Sequence, residues 1–164
     1  ALTDPLVSGD GGWEDRAGRM LMTVREVLRT KGGDVYAVGP GQSVFDALQL
    51  MADRNIGAVL VVEGARTLGI FTERDYSRQV VLKGRASKDT PVRDVMTARV
   101  VYVTPDRTMD DCMALMTSKR CRHLPVVEDG RLAGVLSIGD VVKAVISDKQ
   151  FLIDQLENYI TSGG

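Results

Sequence analysis

The 164-residue chain has few of the residues that metal, redox and nucleophilic sites need. It contains two cysteines, one histidine and one tryptophan, and only 5% of its residues are aromatic. Cys112 and Cys121 do not form a CxxC motif, and the single histidine, His123, cannot supply the usual nitrogen and sulfur ligands of zinc. The sequence also has no GxSxG motif, so a serine hydrolase lacks its nucleophile. We therefore predict neither a metal site nor a catalytic site.

The chain also lacks a large charge of one sign and any long apolar segment. Its formal net charge is −1 and its pI is near 5.9, whereas general nucleic-acid binders are basic. Few aromatic residues are available to stack on bases. The longest apolar run, residues 58–62, is far shorter than the ~20 residues of a membrane span, and no secretory signal pattern opens the chain. We expect a soluble cytoplasmic protein whose partner is neither a membrane nor a nucleic acid.

What the sequence has instead is an internal repeat. After a shift of 65 residues, residues 38–75 align with residues 103–140 without a gap, and after a shift of 68 residues 24–27 resemble 92–95. The identical pairs are Val38/Val103, Pro40/Pro105, Asp46/Asp111, Leu50/Leu115, Met51/Met116, Val61/Val126, Val62/Val127, Glu63/Glu128, Arg66/Arg131, Gly69/Gly134 and Asp75/Asp140. Such periodicity indicates two copies of one unit. We assign a flexible N-terminal arm to 1–22, the two repeats to 23–85 and 86–147, and a helix and tail to 148–164.

Each repeat has the pattern of a β-α-β-β-α unit. The predicted strands are 35–38, 58–62 and 67–71 in the first copy, and 100–103, 124–127 and 132–136 in the second. Ser43 and Thr108 are good caps for the first helix of each copy, which has apolar residues at helical spacing. The second helices begin at Thr72 and Ser137. One unit leaves a sheet face uncovered, so we predict an α/β (α+β) fold in which two β-α-β-β-α repeats pack as a pseudo-two-fold pair around a joint core.

Residues 151–160 form a third predicted helix outside the repeat. Leu152, Leu156, Tyr159 and Ile160 fall on one face of it. This face either packs back on its own repeats or joins two chains. Together with valines on the helices that follow Thr72 and Ser137, it predicts a homodimer, the commonest closed assembly of identical chains.

A short motif recurs where the third strand of each repeat meets the following helix. Residues 69–75 and 134–140 both read Gly-apolar-apolar-Thr/Ser-x-x-Asp. One interpretation is a helix cap, in which the hydroxyl and the acid satisfy free N–H groups. The other is a nucleotide site, because a helix start with a hydroxyl suits a phosphate and an acid one turn later suits a ribose diol. Both interpretations can hold together.

The doubled motif resembles a tandem pair of cystathionine β-synthase (CBS) domains, also called a Bateman module. The resemblance covers residues 23–147, and segments 69–75, 94–97 and 123–127 look like signatures of the family. It implies a regulatory module that binds adenosine-containing ligands in the cleft between its repeats and often pairs into flat discs. AMP is the first expectation, with ATP, ADP, NAD or S-adenosylmethionine as the other ligands.

The resemblance implies two ligand sites. In the first, Thr72 and Arg74 would hold phosphate, Asp75 the ribose and Ile70 the base. Gly57 and Ala58 would offer backbone groups to the base edge, and the family's base-binding segment maps to Thr97 and Ala98. In the second, Ser137, Asp140 and Val135 would have the same roles. Gly139 stands in the place of Arg74 there, and Arg122 and His123 would supply the missing basic groups.

These expectations leave one main hypothesis and one alternative. The main hypothesis is a non-catalytic sensor that binds an adenine nucleotide and acts on an unknown protein target. The alternative is an interaction or scaffold protein whose nucleotide sites are vestigial. The basic run at 119–123 has three interpretations: a solvated helix end, a phosphate contact through Arg122 and His123, or a contact to nucleic acid.

Overall fold

The computed structural model describes residues 22–162. The predicted N-terminal arm therefore lies outside the described residues except for Met22, which packs against the second repeat. The helices are α1 (Val24–Lys31), α2 (Val44–Arg54), α3 (Glu73–Asp75), a π-helical turn (Tyr76–Val81), a 3-10 turn (Val92–Asp94), α4 (Met109–Lys119) and α5 (Ile138–Ser162). The strands are β1 (Ala37–Val38), β2 (Ala58–Glu63), β3 (Arg66–Thr72), β4 (His123–Glu128) and β5 (Arg131–Ser137). The predicted mixed α and β fold of two repeats is confirmed.

Each repeat has an antiparallel hairpin at its centre. β2 pairs with β3 in the first repeat and β4 pairs with β5 in the second, each with a register shift at the same point of the hairpin. β1 adds a parallel strand beside β2. The predicted strand at 100–103 is wrong, because Val103 makes only an isolated parallel bridge to Val126.

The missing strand has a local cause. In the first repeat the N–H of Leu60 donates to the carbonyl oxygen of Tyr36, which extends the ladder. The equivalent residue of the second repeat is Pro125, which has no N–H to donate. The parallel pairing of the second repeat is therefore confined to the bridge at Val103 and does not extend to the residues before it.

The structure has two separate cores instead of the expected joint core, and each core includes residues from the start of the other repeat. Val24 and Val27 of α1 are buried in the core of the second repeat, beside Cys112 and Leu124. In return, Val92 and Val95 are buried in the core of the first repeat. The segment that begins each repeat in sequence therefore packs on the other repeat.

The glycine of the recurring motif allows this exchange. A Cβ atom at Gly69 would lie 2.6 Å from the carbonyl oxygen of Thr97, and one at Gly134 would lie 2.8 Å from a methyl group of Leu28. Real Cβ atoms do not approach a backbone oxygen this closely, so glycine is needed at position 69, whereas the flexible Leu28 side chain can shift away from a Cβ atom at position 134.

The third helix is not a separate element. α5 continues without a break from Ile138 to Ser162, because it has no proline and its one glycine, Gly139, lies in the first turn. Val141 and Ala144 are buried, whereas Phe151, Leu156 and Tyr159 are 58%, 55% and 78% exposed. The tail therefore does not pack back on its own repeats. No helix within residues 22–162 is both long and apolar enough to cross a membrane.

Candidate functional site

Both copies of the motif form the predicted helix cap. At the end of β3 the N–H of Asp75 donates to the Thr72 hydroxyl at 3.2 Å, and the N–H of Thr72 donates to Oδ2 of Asp75 at 3.0 Å. At the end of β5 the N–H of Ser137 donates to Oδ2 of Asp140 at 2.8 Å, and Asp140 N–H to the Ser137 hydroxyl at 3.2 Å. The capping interpretation is confirmed. A carboxylate has lone pairs beyond those used in a cap, so the cap does not prevent a ligand from binding.

The first motif opens into a cavity of about 360 Å³, the Thr72 cavity. Six residues that line it were predicted for the first site: Gly57, Ile70, Thr72, Arg74, Asp75 and Thr97. Two more, Arg122 and His123, were predicted for the second site. Arg122 was expected at the second site, but it lines the Thr72 cavity and not the cavity of the second motif. α4 ends just before Arg122, and its end faces the first motif from across the repeats. Ala98 is not among the lining residues.

Thr97 fixes the orientation of the Asp75 carboxylate in the Thr72 cavity. Its hydroxyl donates to Oδ1 of Asp75 at 3.0 Å. Its backbone N–H and carbonyl oxygen both bond to Ile70, at 2.8 and 2.9 Å. The Thr97 backbone thus forms a strand-like bridge to Ile70, and its side chain holds the Asp75 carboxylate in place.

The second motif opens into a cavity of about 350 Å³, the Ser137 cavity. Val135, Ser137, Asp140 and His123 line it as predicted, and Ala58 lies here rather than in the Thr72 cavity.

A common wall separates the two cavities. Gly57, Ile70 and His123 line both of them. A Cβ atom at Gly57 would lie 3.3 Å from Nε2 of His123, so glycine lets the imidazole approach. Burial, followed by the positive charge of Lys31, lowers the pKa of His123 below its ordinary value. The ring is therefore neutral at pH 7 and contributes hydrogen bonds rather than a charge.

Comparisons with known proteins identify the family of this chain. The family model of the CBS domain matches residues 24–81 and again residues 92–147. The chain belongs to the CBS domain family. The mitochondrial CBS domain-containing protein CBSX3 of Arabidopsis thaliana is 36% identical over 170 residues, which cover 98% of this chain and 80% of that protein.

Solved structures with CBS domains share the fold. A protein from Burkholderia ambifaria, proposed to act in signal transduction, has a TM-score of 0.75 and 52% identity, covering 77% of this chain and 96% of that one. A CBS-domain protein from Agrobacterium tumefaciens has a TM-score of 0.72 and 46% identity, covering 75% of this chain and 98% of that one.

The two sites of the CBS pair differ at a residue that the sequence analysis missed. Nζ of Lys31, at the end of α1, donates to Oδ2 of Asp140 at 2.5 Å and to the carbonyl oxygen of Val135 at 2.6 Å. Burial raises the pKa of Asp140, but the hydrogen bonds from Lys31 and Ser137 outweigh it and bring the pKa below its ordinary value. The shift of 68 residues that pairs 24–27 with 92–95 also pairs Lys31 with Arg99. This pairing of two basic residues was the signal in the sequence that could have identified Lys31 as a site residue.

The CBS pair also separates charge between its two cavities. Six basic side chains and two carboxylates line the Thr72 cavity. The basic residues are Arg74, Arg78, Arg99, Lys119, Arg120 and Arg122. In the Ser137 cavity Lys31 is accompanied by Asp34 and Asp140. An anionic ligand is therefore favoured in the Thr72 cavity, although the whole chain is slightly acidic.

Proposed function

We propose that this CBS pair is a regulatory module that binds an adenosine nucleotide in the Thr72 cavity and carries out no chemical conversion of it. The observation that supports this most is the convergence of Thr72, Arg74 and Asp75 with the apolar Ile70 on one cavity of about 360 Å³. A hydroxyl, a cation, a carboxylate and an apolar wall are the groups that a nucleotide needs from a site of this size.

Each side chain has a specific role in the proposal. The Arg74 guanidinium and the Thr72 hydroxyl contact phosphate oxygens, for which a guanidinium is well shaped. Asp75 accepts hydrogen bonds from the ribose hydroxyls, and Thr97 keeps its carboxylate oriented. Ile70 packs against the base, and its backbone is fixed by the bridge to Thr97.

The Ser137 cavity does not bind a nucleotide in this proposal. The ammonium group of Lys31 contacts the Asp140 carboxylate and the Val135 carbonyl oxygen. The Asp140 carboxylate is the group that a ribose would use if Asp140 acted as Asp75 does, and the ammonium group lies beside Val135, where the base would pack. The hypothesis of a vestigial site is therefore favoured at this cavity, and the chain binds one nucleotide.

The assembly in this proposal is a homodimer, and the compartment is the cytoplasm. The last three turns of α5 carry exposed apolar residues, namely Phe151, Leu152, Ile153, Leu156, Tyr159 and Ile160. Apolar residues at this density on one helix normally meet a partner, and a second copy gives the simplest closed assembly. The regulated target is a further protein.

Isothermal calorimetry with AMP, ADP, ATP, NAD and S-adenosylmethionine tests the proposed function. We expect heat of binding for at least one adenosine ligand and a matching rise in thermal stability. A ligand at 100 times its Kd adds about 2.7 kcal/mol to the free energy of unfolding. Chromatography after incubation should recover the nucleotide intact. Absence of both heat and thermal shift with all five ligands, or turnover of the nucleotide, contradicts the proposal.

A further inference from the structure

An additional cavity of about 590 Å³ adjoins the Thr72 cavity and shares its basic wall. Arg74, Arg78, Arg120 and Arg122 line both cavities, and no carboxylate lines the additional one. We call these four side chains and the space they border the arginine cleft. The cleft lies where α3 and the π-helical turn of the first repeat meet the end of α4 in the second.

The guanidinium groups of the cleft form no ion pair with a carboxylate of residues 22–162. Within the part of the chain that the structure describes, Arg78, Arg120 and Arg122 form no ion pair, whereas Arg25 is paired with both Asp106 and Glu128. Four like charges that share one cleft repel each other. Their arrangement is therefore explained by a ligand that supplies the opposite charge, rather than by the stability of the fold.

Arg120 adds a second observation, because its backbone conformation is unfavourable for its side chain. It ends α4 in the left-handed region at φ 54°, where glycine and asparagine are preferred. The matching position of the first repeat is Asn55, at φ 53°. The second repeat thus has an arginine where the first has the less strained residue. A strained residue beside a cavity suggests a functional role.

Arg120 also helps to position Arg74. The carbonyl oxygen of Arg120 accepts a hydrogen bond from Nη1 of Arg74 at 2.9 Å. One residue therefore contributes its own guanidinium through its side chain and fixes a second one through its backbone. A substitution at Arg120 can remove the first effect and leave the second.

We infer that the arginine cleft binds the phosphate chain of a nucleoside polyphosphate, so that the ligand is an adenosine di- or triphosphate rather than AMP. This inference rests on the proposed function, because the adenosine would occupy the adjoining Thr72 cavity. A monophosphate carries a charge of about −1.5 to −2, which two cations already match. Four guanidinium groups match a longer chain, whose oxygens they can bind in bidentate fashion.

Inorganic tripolyphosphate tests the cleft without the adenosine. Calorimetric titrations at fixed ionic strength would compare tripolyphosphate, orthophosphate, AMP, ADP and ATP. We expect tripolyphosphate to bind and to compete with ATP, orthophosphate to bind far more weakly, and nucleotide affinity to rise from AMP to ATP by at least 10-fold.

Two variants assign the effect to the cleft. Arg120→Asn keeps the backbone contact to Arg74 and introduces the residue that the first repeat already has. We expect it to weaken ATP and tripolyphosphate about 10-fold and to change AMP by less than about 3-fold. Arg85→Asn is the matched control, because Arg85 is exposed outside the helices and lines none of these cavities. It should leave all affinities unchanged.

The outcomes separate this inference from the proposed function. If AMP binds as tightly as ATP and tripolyphosphate does not compete, the cleft inference is overturned while the proposed function stands. If tripolyphosphate binds but no nucleotide does, the proposed function fails, and with it the assignment of the cleft to a nucleotide's phosphates. An RNA oligonucleotide that displaces tripolyphosphate at lower concentration than ATP would overturn the inference in favour of a nucleic-acid contact.

Discussion

Lys31 lies 2.5 Å from the carboxylate of Asp140, although the two residues belong to different repeats in sequence. The contact exists because α1 packs on the second repeat, where it places Lys31 at the end of β5. In the first repeat the corresponding acid, Asp75, receives a hydroxyl from Thr97 instead. The acid of one motif thus contacts an ammonium group and the acid of the other a hydroxyl, and the two cavities are chemically distinct for this reason.

Replacing Lys31 should open the Ser137 cavity. In Lys31→Met the Asp140 carboxylate loses its ammonium partner and can accept hydrogen bonds from ribose hydroxyls, and the base can pack on Val135. We expect the calorimetric stoichiometry for the nucleotide to rise from one to two per chain. The free energy of unfolding should fall by no more than about 1 kcal/mol, because the pair is partly exposed.

Arg29→Met is the control for the Lys31 experiment. Arg29 is exposed on the same helix and lines neither cavity, so its variant should keep a stoichiometry of one. Two nucleotides bound to the wild-type chain, or one bound to the Lys31→Met variant, would show that Lys31 does not close the cavity.

The ribose role of Asp75 predicts a selective loss of affinity. Asp75→Asn can keep the cap through its amide oxygen but loses the charge that favours the ribose hydroxyls. The loss of one charged hydrogen bond costs about 1.5–3 kcal/mol. Ribonucleotides should therefore weaken much more than their 2′-deoxy counterparts, as measured by calorimetry.

The chain offers a matched control for Asp75. Asp111 forms the same capping box with Thr108, at 3.1 and 3.3 Å, but lines neither the Thr72 nor the Ser137 cavity. Asp111→Asn should change stability to a similar degree and leave nucleotide affinity as it is. Equal losses for ribo- and deoxyribonucleotides in Asp75→Asn would leave the cap as the only role of Asp75.

The strained backbone of Arg120 predicts that its loss stabilises the protein. Arg120→Asn should raise the free energy of unfolding by up to about 1 kcal/mol, because a left-handed conformation is costly for most side chains and less so for asparagine. The reciprocal change, Asn55→Arg, should lower it by a similar amount. Urea denaturation measures both. A less stable Arg120→Asn protein would mean that the guanidinium supports the fold rather than a ligand.

The exposed end of α5 predicts a dimer that one charge can break. Light scattering at micromolar concentration should give about twice the chain mass for the wild type. Leu156→Glu should give a single-chain mass, because it introduces a charge into the apolar face. Gln155→Glu, the adjacent exposed position, should remain dimeric. A wild-type chain that stays monomeric at high concentration is incompatible with this assembly.

Much of the fold could be predicted from the sequence, because the two repeats show the same spacing of apolar residues, caps and turns. The shared spacing of Gly69–Asp75 with Gly134–Asp140 placed each hydroxyl and acid at a strand end, where capping geometry depends only on local residues. The exchange of segments could not be predicted. Residues 24–27 and 92–95 have the same apolar pattern, so either could fit either core.

The differences between the expected and the observed lining of the two cavities follow from that exchange. Which cavity Arg122 and Ala58 line, and what Lys31 contacts, depends on packing between repeats that are far apart in sequence. The charge separation was hidden for the same reason, since a net charge of −1 does not show that basic residues from three segments meet at one cavity.

A crystal structure of the chain with ATP tests the central claim most directly. The account predicts adenosine in the Thr72 cavity, with the ribose hydroxyls on Asp75, the base against Ile70 and the phosphates among Arg74, Arg78, Arg120 and Arg122. It also predicts that Lys31 still contacts Asp140 in the same crystal. ATP bound in the Ser137 cavity with Lys31 displaced, or a Thr72 cavity that stays empty at saturating ATP, would contradict it.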